Sequence, residues 1–367
     1  MRRYACLFLV VLLFATCSGS EDLATEVVEN QTPATELNPT TSTLSTPIET
    51  IAEYIFDIEK MSPLTGKYIT QEEWLIRPRR VISFKIDNNI NARPQSGIQH
   101  ADLVYEVLVE GGMTRILAVF LDSSTDYLGP IRSARPTDPT LIKPFGSTLV
   151  VSGATEGLIP SIRELGVPVI EEQKNPSMFR ISSRKAPHNL YADTELIRDV
   201  IDSKGYLFIQ PGPQPIFNFS YNQSNWIKKA SKITIKYSNE TTVIWKLDGN
   251  LYNRFIIDAY SQNDDPEVHN WINQNGVDTG ILTTETVIVI QGVKYRDEAT
   301  TLPSILTVGI GQVTIFNNGN MVEGTWRRTD IDDPFDLFDS NGDPIYLPPS
   351  KQWIHIMPLE GNISVSN

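Results

Sequence analysis

The pattern of apolar and polar positions changes character near residue 205. Before it, strand-like runs such as RVISFKID and STLVVSGAT alternate with helical runs such as EGLIPSIRELG and DTELIRDVIDSKG. Alternation of strands and helices is typical of an α/β domain. The sequence therefore predicts an N-terminal mixed α/β domain, and we place it at residues 61–209.

After residue 205, nearly every apolar run has the pattern of a strand. Examples are KITIKYS, TVIWKLDGNLYNRFI, ETVIVIQGV and ILTVGIGQVTIFNNGNMVEGTW. In the last of these, Asn318-Gly319 is a strong signal for a two-residue hairpin loop. A mainly β domain is predicted for residues 210–367, connected to the first domain through the proline-rich string QPGPQP.

The string YEVLVEGGMTR, residues 105–115, predicts a hairpin that carries three charges. If its Gly-Gly pair is a two-residue loop, Leu108 pairs with Arg115. Because side chains alternate between the faces of a strand, Glu106, Glu110 and Arg115 then share one face. We expect a polar surface on which Arg115 lies between the two glutamates.

The first 17 residues have the pattern of an export signal. Two arginines precede an apolar run, Leu7–Phe14, that is too short to span a bilayer. The run ends in FATC, where small residues followed by Cys17 resemble a lipobox, whose cysteine is acylated. An ordinary cleaved signal peptide is the alternative. Both interpretations predict an extracytoplasmic protein, and the first anchors it to the cell membrane as a lipoprotein.

The composition predicts a tether and excludes several classes of site. Residues 18–60 are rich in Thr, Pro and Glu and carry nine acidic residues against one lysine, so we expect a disordered tether. The whole chain has a net charge of −13, and no basic patch suggests nucleic-acid binding. The only cysteines are Cys6 and Cys17, which leaves no intramolecular disulfide and no cysteine nucleophile in the body.

The predicted first domain holds several polar clusters where loops meet the ends of elements, a usual place for function. IDNNINARPQSG follows a strand, GPIRSARP places two arginines three residues apart, on one face if helical, and SSRKAPHNLYAD carries a histidine. The candidate catalytic residues are Asp87, Glu106 and His188, and the candidate ligand-binding residues are Asn88, Arg93, Glu110, Arg115, Arg132, Arg135, Arg184 and Asn189. Each cluster also has a structural interpretation, because Asp and Asn often satisfy backbone groups in turns.

The patterns of well-known enzyme sites are absent from the sequence. Glu106 and Glu110 lie about 13 Å apart along one strand, beyond the roughly 5 to 9.5 Å of glycosidase pairs, although Asp87 could complete a pair with one of them. Ser133 with His188 is a conceivable nucleophile and base, without a G-x-S-x-G elbow. The four histidines have no short metal-ligand spacing, and no nucleotide-binding glycine motif occurs. We expect neither a metal nor a cofactor.

Several long strings, in fixed order, resemble the YerB-like bacterial lipoproteins. They are PLTG, IDNNINARPQSG, ADLVYEVLVEGGMTR, GPIRSARP, RKAPHNLY, GTW and KQWIHIMP, and they extend from about residue 62 to residue 358. The resemblance implies two domains and a lipid anchor. It assigns no biochemical activity, and it puts all the candidate residues on matching motif positions without giving any of them a role.

Three hypotheses from different classes remain. The first is a surface-anchored protein that binds an envelope glycan, peptide or anionic ligand, such as peptidoglycan or an anionic wall polymer, in a cleft lined by Arg, Glu and His. Arginines supply forked donors for carboxylates and phosphates, while Glu, Asp or His can bind ligand or transfer protons. The second is a cell-envelope hydrolase that uses a carboxylate or His188. The third is a protein-interaction scaffold with structural charge clusters.

Overall fold

A computed structural model describes residues 61–69, 80–172, 177–205, 214–222, 226–259 and 265–367. The predicted leader with Cys17, the predicted tether and residues 210–213 of the predicted connection lie outside these ranges. The described residues belong to one compact unit, Phe56–Asn367. No helix among them is long and apolar enough to cross a membrane.

The described residues form three α-helices and 23 strands. The helices are α1 (Thr137–Ile142), α2 (Leu158–Glu164) and α3 (Thr194–Ser203). The strands are β1 (Ile82–Ile86), β2 (Leu103–Leu108), β3 (Thr114–Phe120), β4 (Thr148–Val151), β5 (Val169–Glu171), β6 (Met178–Arg180), β7 (Leu190–Ala192), β8 (Lys228–Lys229), β9 (Lys232–Lys236), β10 (Thr241–Asp248), β11 (Leu251–Asp258), β12 (Glu267–Val268), β13 (Asn270–Ile272), β14 (Thr279–Ile281), β15 (Thr283–Thr284), β16 (Thr286–Gly292), β17 (Lys294–Arg296), β18 (Pro303–Ile305), β19 (Gly309–Asn317), β20 (Asn320–Arg328), β21 (Asp336–Asp339), β22 (Gln352–Pro358) and β23 (Asn362–Ser366).

The predicted fold class is confirmed: all three described helices precede residue 204, and the elements described after it are strands. One large sheet has the strand order β21-β20-β19-β16-β22-β2-β3-β1-β4-β5, with β8 paired to β20. A second sheet has the order β12-β11-β10-β9-β23, with β15 paired to β11. Two-stranded pairs β13-β14, β17-β18 and β6-β7 complete the described strands.

The large sheet joins strands from both halves of the chain. Near the C-terminus, β22 lies between β16 and β2 and is parallel to both. Each face of the sheet is covered by a hydrophobic core that also draws on both halves: Leu103 and Ile288 belong to one core, and Val104 and Val287 to the other. Burial on both faces explains why these strands are nearly continuous apolar runs.

The hairpin at residues 105–115 is present, but its predicted register is wrong. Leu108 pairs with Thr114 and Glu106 with Ile116, one residue away from the expected pairing, and the loop includes a 3-10 turn at Glu110–Gly112. Because the side-chain period of a strand is two, the shift moves Arg115 to the face opposite Glu106. The expected polar surface shared by Glu106 and Arg115 therefore does not form.

The second predicted hairpin has the expected geometry. Asn317 pairs with Asn320, which leaves Asn318 and Gly319 as a two-residue loop. Both have positive φ, 46° for Asn318 and 72° for Gly319. Asparagine and glycine tolerate this conformation, which matches the twist of the flanking strands.

Candidate functional site

The site is built where the parallel strands β1 and β4 end. An extended segment, residues 130–134, lies between these ends: the Arg132 N–H donates to Lys85 O at 2.7 Å, and the Ser152 N–H donates to Arg132 O at 3.1 Å. In open sheets, the crevice at the carboxyl ends of parallel strands is a usual place for ligands. The segment is not helical, so Arg132 and Arg135 do not share a helix face.

Asp87 is the first residue after β1, and two cationic or titratable groups meet its carboxylate. His188 Nδ1 lies 2.7 Å from Asp87 Oδ2, and Arg132 Nε lies 3.1 Å from the same oxygen. The Asp87 side chain is 4% exposed, whereas those of His188 and Arg132 are 18% and 22% exposed. Since Nδ1 donates to the carboxylate, a neutral His188 ring has its lone pair on Nε2.

A second cluster, next to the first, surrounds Glu110 in the hairpin loop. Arg135 Nε donates to Glu110 Oε2 at 2.6 Å and Arg135 Nη2 donates to Oε1, which makes a bidentate pair. Arg115 Nη2 lies 3.3 Å from Glu110 Oε1, and Arg115 Nη1 donates to Ser133 O at 2.9 Å. Partial burial opposes ionisation of Glu110, but the hydrogen bonds from Arg135 and the charge of Arg115 outweigh it and lower its pKa to about 2.

Beneath both clusters lies a buried ion pair that sequence reasoning missed. Lys85 Nζ lies 2.5 Å from Asp138 Oδ1, and both side chains are 0% exposed. Asp138 Oδ2 accepts from the Arg135 N–H at 2.7 Å, which connects the pair to the arginine cluster. Burial lowers the pKa of Lys85, against the attraction of Asp138. The signal for this pair was the single lysine in the apolar run VISFKI.

Glu106 lies on the opposite face of the sheet and takes part in a different network. Arg254 Nη2 donates to both carboxylate oxygens at 2.7 Å, and both side chains are 0% exposed. Trp353 Nε1 and Thr114 Oγ1 also donate to the carboxylate, at 2.9 Å and 2.7 Å. Burial raises the pKa of Glu106, but the charge of Arg254 and the hydrogen bonds from Arg254 and Thr114 together outweigh burial, so the net shift is downward.

The Glu106 network continues into a chain of neutral groups. Trp245 Nε1 donates to His355 Nε2 at 2.9 Å, so His355 Nδ1 carries the proton and donates to Tyr237 Oη at 2.8 Å. Tyr237 Oη in turn donates to Glu106 O at 2.9 Å. Burial lowers the pKa of His355 to about 3, despite the nearby Glu106 carboxylate.

On its other side, Arg254 connects the network to the Asp87 loop. Arg254 Nη1 donates to His269 Nδ1, and His269 Nε2 donates to Gln95 Oε1 at 2.6 Å. Gln95 Nε2 donates to Asp87 O at 2.9 Å and to Asn88 Oδ1 at 3.1 Å. Through Gln95, the network fixes the backbone at Asp87 and the side chain of Asn88. It also joins β2 to strands of the C-terminal half.

The remaining candidate residues hold loops together. Asn88 Nδ2 donates to Thr114 Oγ1 at 2.8 Å, and Arg93 pairs with Asp258 at the end of β11. Two others bind backbone carbonyls: Arg184 donates to Asn91 O at 3.2 Å and to Pro94 O at 2.5 Å, and Asn189 donates to Ile181 O at 3.2 Å. These contacts give structural reasons for four of the predicted site residues.

Two further kinds of site were considered from the sequence: a Ser133 nucleophile with His188 as its base, and a metal site. Ser133 Oγ lies 3.4 Å from Ser152 Oγ. Among the described residues, Ser133 makes no hydrogen bond to His188. Within the part of the chain that the structure describes, no group of three His, Cys, Asp or Glu side chains could hold a metal ion. What the site does offer is one Asp–His pair and a cluster of arginines.

Comparison with known proteins identifies related chains. Two family models match: the DUF3048 (protein of unknown function) N-terminal domain over residues 64–207, and the DUF3048 C-terminal domain over residues 233–354. The chain is 25% identical over 325 residues to "Putative lipoprotein YerB" of Bacillus subtilis (strain 168), an alignment that covers 83% of this chain and 88% of the relative. The crystal structure of YerB protein from Bacillus subtilis is similar in fold, with a TM-score of 0.69, 24% identity, and coverage of 83% of this chain and 99% of the other.

Proposed function

The chain belongs to the two-domain DUF3048 family of proteins of unknown function, and from this starting point we propose that it is an extracytoplasmic lipoprotein that binds an anionic ligand of the cell envelope. The ligand's carboxylate or phosphate groups contact Arg132 and His188. The buried arginines and Lys85 behind them supply positive potential.

The observation that carries this proposal is that the terminal nitrogens of the Arg132 guanidinium are available as hydrogen-bond donors. Its Nε lies beside Asp87, and among the described residues no hydrogen bond occupies its two terminal nitrogens. Its side chain is partly exposed, and two neighbouring backbone hydrogen bonds fix its main chain. A planar guanidinium with free terminal donors matches the geometry of a carboxylate or phosphate.

The charges around Arg132 favour an anion over a cation. Four cationic side chains, Lys85, Arg115, Arg132 and Arg135, lie near three carboxylates, those of Asp87, Glu110 and Asp138. The local balance is therefore positive in a chain whose net charge is −13. Partial burial strengthens the attraction because solvent screens it less.

The proposed location rests on the leader and on the relative's name. The apolar run followed by Cys17 has the pattern of a lipidated export signal, and the related Bacillus protein is named as a lipoprotein. At the outer face of a membrane, peptidoglycan and anionic wall polymers are abundant sources of carboxylates and phosphates. These polymers are the ligands that we propose.

Binding can be tested with the full chain purified in detergent. Purified peptidoglycan and a purified phosphate-containing wall polymer are mixed separately with the chain, and the bound fraction is measured by co-sedimentation. We expect Arg132→Ala to reduce binding to one of them about fivefold or more, because a partly exposed charge pair contributes up to about 1 kcal/mol and a desolvated one contributes more.

The matched control is Arg163→Ala. Arg163 is 50% exposed and pairs with Glu171 elsewhere on the surface, so its loss should leave binding unchanged. Equal binding by the wild type, Arg132→Ala and Arg163→Ala would overturn the proposal.

A hydrolase is the second candidate, and the Asp87–His188 pair favours it. A histidine whose Nδ1 is held by a carboxylate can accept a proton at Nε2 from water or a substrate hydroxyl, the arrangement used by many general bases. Mass spectrometry of peptidoglycan fragments after incubation with the chain tests this reaction. We expect new cleavage products that disappear in His188→Gln, and unchanged fragments with the wild type would exclude the reaction for that substrate.

A further inference from the structure

A groove of about 1100 Å³, separate from Arg132 and His188, lies among four loops and strands. Its walls are the loop of the β2–β3 hairpin, the β9–β10 turn, the β17–β18 pair and the connection between β22 and β23. Because the N-terminal half contributes only the hairpin loop, most of the groove belongs to the C-terminal half. Its volume is slightly above the usual range for ligand pockets, about 300 to 1000 Å³.

Direct contact between two walls holds the groove open in a fixed shape. Ser238 Oγ donates to Gly112 O at 2.7 Å. Gly112 has a φ of +71°, and a Cβ at this position would overlap Glu240 Oε2. The positive φ favours glycine at this position, and the missing Cβ leaves room for the Glu240 side chain. The hairpin loop is therefore fixed against the β9–β10 turn, and the groove exists before any ligand arrives.

The groove is lined by charges of both signs in equal number. The cations are Lys236, Lys294 and Arg296, and the carboxylates are Glu110, Glu240 and Glu360. Glu110 is already paired with Arg115 and Arg135. Among the described residues, Lys236, Lys294, Glu240 and Glu360 make no ion pair, so their charges remain available to a ligand.

We infer that this groove binds a short extended peptide that carries both carboxylate and ammonium groups. Lys294 and Arg296 are two residues apart on β17 and so lie about 7 Å apart along one face. They bind the peptide's carboxylates, while Glu240 and Glu360 bind its ammonium groups.

Other ligand classes fit the lining less well. A polyanion would meet three carboxylates in the same groove, and like charges brought together at an interface cost binding energy. An uncharged glycan would cover six charged side chains without forming an ion pair with any of them. The cost of removing water from these charges would then have no favourable interaction to offset it. A ligand of mixed charge avoids both costs.

The test measures peptide binding by the full chain with fluorescence anisotropy and no wall polymer present, so that its outcome is independent of the Arg132 experiment. The probes are four tetrapeptides with the label on the N-terminal nitrogen and an amidated C-terminus, so that only their side chains are charged: Ala-Glu-Lys-Ala, Ala-Glu-Glu-Ala, Ala-Lys-Lys-Ala and Ala-Gln-Gln-Ala. We expect the mixed-charge peptide to bind most tightly. We expect its Kd to rise about tenfold or more in the double variant Lys294→Ala/Arg296→Ala, because each exposed charge pair is worth up to about a factor of five.

The control is Lys232→Ala, which removes an exposed lysine at the start of β9, outside the groove. Its Kd should equal that of the wild type. Thermal unfolding of each variant checks the fold, and these exposed positions should change it little. The inference is overturned if the wild type does not bind the mixed-charge peptide, if another probe binds as tightly, or if the double variant binds like the control.

Discussion

The buried ion pair between Glu106 and Arg254 provides a sharp test of how the two halves of the chain are held together. Both side chains are 0% exposed, and Arg254 Nη2 contacts both carboxylate oxygens at 2.7 Å. In Glu106→Gln, the Arg254 charge stays buried without its counter-charge. Trp353 Nε1 and Thr114 Oγ1 must also compete for a single amide oxygen.

Removing one partner of a buried pair costs about 3 to 5 kcal/mol. Equilibrium unfolding in urea, followed by tryptophan fluorescence, measures this cost. With an m-value of about 3 kcal/mol/M, the midpoint should fall by roughly 1 to 1.7 M. The double variant Glu106→Gln/Arg254→Met removes both charges, so it should lose less free energy of unfolding than the sum of the two single variants.

The exposed pair of Lys228 and Glu323 provides the control. Their side chains are 60% and 56% exposed, so Lys228→Ala should cost only about 0 to 1 kcal/mol. A midpoint shift for Glu106→Gln no larger than that of the control would refute the reasoning. Strict additivity in the double variant would refute it as well.

Two further predictions concern the lipid anchor and the stability of the fold at acid pH. Cys17→Ser should move the protein from the membrane fraction to the soluble fraction, and a variant that stays with membranes would exclude lipidation at this residue. Because the pKa of Glu110 is lowered from its ordinary value of 4.5 to about 2, its ion pairs stabilise the fold above pH 4.5 and are lost as the pH falls towards 2. The free energy of unfolding of Glu110→Gln should therefore fall less than that of the wild type between pH 4.5 and pH 2, and parallel pH profiles would contradict the ion-pair account.

The sequence predicts fold class well because the patterns that carry it are local. The apolar runs define strands such as β1, β16 and β19, and DTELIRDVIDSKG predicts α3, whose Asp193 caps its first turn. The Asn318-Gly319 hairpin follows from the φ values that these two residue types tolerate. None of these features depends on a distant partner.

The hairpin register shows where local patterns stop being sufficient. A two-residue Gly-Gly loop was the simplest prediction, but the observed loop is longer, with Glu110 bound to Arg135 and Gly112 bound to Ser238. These partners are 25 and 126 residues away. A shift of one residue then separates Arg115 from Glu106 completely, because alternate residues face opposite sides of the sheet.

The sequence indicates candidate residues by their chemistry, but it does not indicate which of them contact one another. Asp87, His188 and Arg132 were selected for their chemistry, and only the fold shows that they share one carboxylate. The partner of Glu106, Arg254, lies 148 residues away on β11 and was not selected at all. This strand lies inside the second sheet, between β12 and β10, and nothing in its sequence, LYNRFIID, indicates that its arginine is buried.

The central claim is that Arg132 binds an anionic ligand through its forked geometry, and calorimetric titration of Arg132→Lys tests it most directly. The full chain is titrated with the wall polymer or peptidoglycan fragment that co-sediments with it. Lysine keeps the charge but loses the two parallel donors. The account predicts a Kd about fivefold or more above that of the wild type at equal salt, with an unchanged urea midpoint. An unchanged Kd in the folded Arg132→Lys chain would contradict it.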